Sequence, residues 1–62
     1  MCDTNAFIMR NGIEEKLLES VERVTFDGDD VEISNIFGEE KTLKARLKLI
    51  DTRQNKILFE SL

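Results

Sequence analysis

A small all-β domain, a meander of short strands, is the fold class this 62-residue sequence predicts, and three observations lead there. Turn-forming residues punctuate the chain at short intervals: Asn11-Gly12, Asp27-Gly28-Asp29-Asp30, Gly38-Glu39-Glu40 and the stretch from Asp51 to Asn55. In Leu43-Lys44-Ala45-Arg46-Leu47-Lys48-Leu49 apolar side chains fill every second position and cations fill most of the gaps, the period of a strand with one face buried. Short apolar-rich runs at Val31-Glu32-Ile33 and Ile57 to Phe59 read as further strands. With no proline, repeat or low-complexity tract to mark a linker, residues 1–62 are expected to form a single domain.

Taken in order, Thr4 to Met9 is apolar enough for a strand but does not alternate cleanly, as expected if both of its faces are covered. Asn11-Gly12 is a strong hairpin signal, because a type I′ turn needs positive φ at both central positions. The segment Ile13 to Val24 pulls two ways. Ile13, Leu17, Val21 and Val24 fall on one helical stripe, and its Glu, Lys and Leu content favours helix. The turn just upstream is most natural if a strand leaves it, so local sequence leaves helix and strand both open. On the last strand, if Ile57 and Phe59 face the core, Leu58 and Leu62 fall outside, where they or Phe37 would be available to a partner.

Size and composition narrow the function. A chain this short buries only about 60% of the surface its unfolded form exposes, and usually needs a disulfide, a metal or a partner chain. A single cysteine cannot close an internal disulfide, which leaves self-association as the expected support. No secretory or membrane-spanning stretch is present, which fits a cytoplasmic protein with no membrane association. The formal charge of −4 argues against nucleic acid as a main partner. The basic stripe Lys44, Arg46 and Lys48 lacks interleaved aromatics and reads as a solvated face, and the acidic runs at Asp27 to Asp30 and Glu39-Glu40 read as solvated loops. Asp27-Gly28-Asp29-Asp30 lacks the ligand alternation and closing glutamate of a calcium loop. With no histidine, no nucleophile-and-base pair and no glycine-rich phosphate loop, the chain is not expected to be an enzyme.

One residue carries chemistry that the rest lacks. Cys2, the only cysteine, directly follows Met1. If Met1 is removed, the α-amine and thiolate of residue 2 close a five-membered chelate ring on a metal ion. If Met1 stays, its amine, the Cys2 amide nitrogen and the sulfur form a planar set. Either suits square-planar nickel(II) or copper(II) better than a tetrahedral zinc site. Donor chemistry does not choose between the two ions. A square plane takes four donors, and two chains meeting near their first residues would supply two nitrogens and two sulfurs across a twofold axis. The plainer alternative is an incidental or redox-active cysteine on a small interaction module.

Several residues together carry a family likeness: Met1-Cys2, the apolar first strand, Asn11-Gly12, and Leu18, Val21 and Val24 at their offsets. Gly28-Asp29 before Val31-Glu32-Ile33 follows, then Ile36-Phe37-Gly38-Glu39, the alternating strand ending at Ile50-Asp51, and Ile57-Leu58. The chain resembles the CooT family of small nickel-binding proteins, associated with maturation of nickel-containing carbon monoxide dehydrogenase. The resemblance implies a small SH3-like barrel of five to six short antiparallel strands that forms a homodimer and binds Ni2+ through Cys2. It makes Ile13 to Leu18 a strand, with Glu19 to Glu22 turning into the next. Cys2 is the one ligand it transfers; Asp3, beside it, either ligates or only adds negative charge. The alternative from another class is an RNA-binding module on an SH3-like barrel, against which stand the acidic balance and the lack of tyrosine and tryptophan for base stacking.

Overall fold

The computed structural model describes residues 3–62. Six strands follow one another with no helix among the described residues: β1 (Asn5–Arg10), β2 (Ile13–Leu18), β3 (Val21–Asp27), β4 (Asp30–Asn35), β5 (Glu40–Asp51) and β6 (Lys56–Ser61). They form one sheet in the order β2-β1-β6-β5-β4-β3, so the consecutive strands β2 and β3 are its two edges. The sheet curls without closing. The architecture is that of a small, open SH3-like barrel, as the sequence led us to expect.

The turns are where the sequence places them, and backbone chirality explains why. Asn11 and Gly12 have φ of 55° and 77°, the paired left-handed conformation that joins β1 to β2 with the twist of a hairpin. Ser20, at φ 52°, turns the chain between β2 and β3. That turn ends the helical alternative for Ile13 to Val24. The Ser20 N–H donates to Asn5 Oδ1 at 3.4 Å and the Val21 N–H to the Thr4 carbonyl at 2.8 Å. Tertiary hydrogen bonding thus overrides a local preference worth only a few tenths of a kcal/mol per residue. The helical stripe dissolves: Ile13 is 64% exposed, whereas Leu18, off the stripe, is buried.

One expectation needs correcting. The strands are not all antiparallel: β1 and β6 pair in parallel, from Asn5 opposite Lys56 to Met9 opposite Glu60. A parallel pair needs a long connection, and here everything between the first strand and the last supplies it. Turn spacing reports only sequential neighbours, so it could not show this pairing.

Strand β5, twelve residues long, serves both halves of the sheet. Its first part pairs with β4 and its second with β6, with a register shift between Leu47 and Leu49 where the strand changes partner face. Inside the curl lie Ala6, Ile8, Leu18, Val31, Ile33, Ala45 and Phe59, with Leu17, Val21, Val24, Leu43 and Ile57 packed against them. Phe26 tilts against Phe59 at 6.5 Å between ring centroids.

Leu58 corrects a second expectation. Alternation does put it on the face opposite Phe59, but that face is covered there and Leu58 is only 5% exposed. In register it lies beside Phe7 on β1 and Leu49 on β5, and the Lys56 ammonium sits 5.2 Å above the Phe7 ring. Its neighbours form a small apolar cluster on the outer face. Leu58 is therefore not a free surface for a partner, whereas Leu62 and Phe37 are exposed.

Candidate metal centre

Cys2, the one residue to which sequence chemistry assigns a ligand role, lies outside the described residues. What the fold defines is the place from which it is held. The Thr4 carbonyl accepts from the Val21 N–H at 2.8 Å, and the Asn5 N–H donates to the Asn55 carbonyl at 2.8 Å. These two bonds clamp the start of β1 between the first residue of β3 and the turn that enters β6. Two residues of chain span at most about 7 Å, so covalent geometry keeps residue 2 close to this clamp.

Around Thr4 the surface is mainly apolar. On one side Ile50, Ile57, Thr52, Asn55 and Lys56 join Thr4 in lining a hollow of about 260 Å³. On the other, the Ile36 N–H donates to the Ser20 carbonyl at 3.1 Å, which sets Ile36 and Phe37 beside the β2–β3 turn. Asp51 reaches the hollow, but its Oδ1 accepts from the Arg53 and Gln54 N–H groups at 2.9 and 3.2 Å and so caps its own turn. Asp3 is exposed.

The loop carrying Phe37 is fixed by a single buried polar side chain. Asn35, 2% exposed, accepts at Oδ1 from the Phe37 and Glu39 N–H groups at 3.1 and 2.9 Å and donates from Nδ2 to Glu39 Oε1 at 2.8 Å. Its own N–H donates to the Glu39 carbonyl at 3.0 Å, and its carbonyl accepts from the Gly38 N–H at 3.3 Å, where φ is 84°. Sequence reading missed Asn35. An asparagine before a glycine-containing turn is the signal that could have pointed to it.

The remaining charged groups are engaged elsewhere. Lys44 meets Asp30 at 3.1 Å, while Arg46 and Lys48 both approach Glu60 at 3.7 Å, so the basic stripe is matched by acids on flanking strands. Asp27, Asp30 and Glu32 line a shallow depression with Thr25 and Thr42. Among the described residues no three or more His, Cys, Asp or Glu side chains come together in a way that could hold a metal ion. No helix among them is long and apolar enough to cross a membrane.

A half-open SH3-like barrel that holds the start of its chain at an apolar rim defines the class: a small binding or accessory domain rather than a catalytic fold. Comparison with known proteins makes this specific. A family model described as "CO dehydrogenase accessory protein CooT" matches residues 1–60. The crystal structure of a protein assigned as CooT from Carboxydothermus hydrogenoformans is similar throughout, with 33% identity, a TM-score of 0.88 and coverage of 98% of each chain. The protein belongs to the CooT family. Among curated proteins no match was found.

Proposed function

We propose that this protein is a nickel(II)-binding accessory protein, a carrier or buffer that acts in the cytoplasm and supplies the metal for carbon monoxide dehydrogenase maturation. Nickel is its cargo. Cys2 is the ligand, bound through its thiolate and a main-chain or terminal nitrogen, and two chains together complete a square plane. The observation that carries this reading is membership of a carbon monoxide dehydrogenase accessory family by a chain whose single soft donor is residue 2. The clamp at Thr4 supports it, because a donor two residues from a fixed backbone is presented at the surface in a definite place. A site at the chain's start also has few neighbours to hinder exchange of the metal with an acceptor thiolate, which favours delivery over storage. The RNA-binding alternative gains nothing from the geometry, since all three cations of the basic stripe are matched by carboxylates.

Nickel titration of the whole chain, followed by absorption and calorimetry across the pH range from mildly acidic to mildly basic, tests the proposal. Thiol and amine have reference pKa values of about 8.5 and 8, so protons compete with the metal below that range. Affinity should fall on acidification, by up to about tenfold per pH unit for each proton released. Sulfur-to-nickel charge-transfer bands should appear in the wild-type protein and vanish in Cys2→Ser. Bands that survive that substitution, or affinity flat across the range, would refute the assignment.

A further inference from the structure

We propose that the apolar rim around Thr4, made of Ile36 and Phe37 on one side and Ile50 on the other, is the surface through which two copies of this chain associate. This deepens the two-chain metal reading and rests on it for its purpose, although the contact itself needs no metal.

Three observations support a second copy as the occupant. Phe37, Ile50 and Ile36 are 67%, 57% and 51% exposed, and all three lie near one point of the fold. Ile57 separates Ile50 from β1 across the sheet, and the Ser20–Val21 segment separates Ile36 from Thr4. At a strand spacing of about 4.8 Å, each patch lies roughly 10 Å from Thr4. An aromatic flanked by aliphatics is the composition of an interface centre rather than of its rim.

Second, the presented side chain is ordered in advance. Asn35 fixes both N–H groups flanking Gly38, so docking Phe37 freezes little additional backbone, and association loses less to ordering.

Third, charge selects the partner. A chain with a formal charge of −4 repels its own kind over most of its surface, and two copies approach most easily where charge is already neutralised. Around this rim Glu39 is bonded to Asn35, Asp51 to its own turn, Lys56 to Glu14 at 2.9 Å and Lys16 to Glu19 at 3.3 Å. A twofold contact presents the same patch from both sides, so a neutral apolar patch is complementary to itself. The small core of this domain also leaves stability to be gained by association.

The test is sedimentation velocity on the full chain over a concentration series, with all metal chelated. The wild-type chain should dimerise. Phe37→Ser and Ile50→Ser should each weaken dimerisation by roughly tenfold or more while retaining wild-type circular dichroism. Ile13→Ser, at a comparably exposed position at the far end of β2, should leave it unchanged. A metal-free wild-type chain that stays monomeric throughout the series would overturn the proposal and leave the rim to a different protein. So would Ile13→Ser proving as disruptive as Phe37→Ser. The nickel reading fails separately, by bands that persist in Cys2→Ser even though dimerisation behaves as expected.

Discussion

Replacing Asn35 with alanine removes three hydrogen bonds at once, because its amide serves two N–H groups and one carboxylate. A neutral hydrogen bond contributes about 0.5–1.5 kcal/mol net and one to a charged group about 1.5–3. The simple sum is roughly 2.5–6 kcal/mol. Glu39 is exposed and rehydrates when its partner is lost, so the lower part of that range applies, about 2–4 kcal/mol. Domains of this size have total stabilities of roughly 3–9 kcal/mol, so a large fraction is at stake. In urea, with a slope near 1 kcal/mol/M for so small a chain, the midpoint should fall by about 2–4 M at equal protein concentration. A shift below about 0.5 M would show that the Ile36–Gly38 loop holds its shape without Asn35. Asn35→Asp sharpens the test, because it keeps the acceptor but sets a carboxylate 2.8 Å from Glu39. Like charges that close push one carboxyl pKa up in the folded state, so the folded variant binds more protons than the unfolded chain. Its deficit relative to wild type should be full at neutral pH and should shrink as pH falls toward the ordinary carboxylate range near 4. A deficit that grows on acidification would contradict the pairing.

Leu58→Ala should cost about 2–3 kcal/mol in a denaturant titration, since the side chain is buried but its neighbour Leu49 is partly open to solvent. Leu58→Asp should accordingly lose its circular dichroism signal, and folded monomers from that variant would mean that the position is an interface after all. Gly12→Ala meets no atom within 4 Å of the added Cβ, so its cost is the backbone strain of φ +77° alone, about 1–2 kcal/mol in thermal unfolding. A loss well above 3 kcal/mol would point to a contact that the open turn does not suggest.

The parts of the fold that were legible in the sequence are those decided locally. The Asn11-Gly12 hairpin follows from two residues that tolerate positive φ, and β5 from strict alternation over seven residues. What was illegible depended on contacts between distant segments. Strands β2 and β3 are strong helix formers by composition, and become strands because Thr4 and Asn5 offer their turn hydrogen bonds across the barrel. Leu58 obeys alternation yet is buried, because Phe7 reaches it through the parallel pairing of the chain's two terminal strands. At the candidate site the division is the same. Cys2 stood out by its position and chemistry alone, whereas the rim around it draws on Ile36, Phe37 and Ile50, which no spacing along the chain connects.

The metal site and the association surface constrain one another. For two Cys2 residues to share one ion, the two Thr4 residues must lie within reach of about 14 Å of chain in total, plus the two cysteine side chains. Contact through the opposite end of the body, which measures 30 × 22 × 15 Å, would interpose both barrels between the chain starts. Contact along the free edge of β3, centred on Val24, would carry the two Val21 residues about 20 Å apart along the paired strands, at the limit of that reach. A face that includes Thr4 itself satisfies the requirement with chain to spare. That face is also the one where the neighbouring charges are paired and where Asn35 holds an aromatic side chain out toward solvent. The demands of square-planar coordination and those of burying apolar surface therefore select the same face of the barrel, each on its own physical grounds.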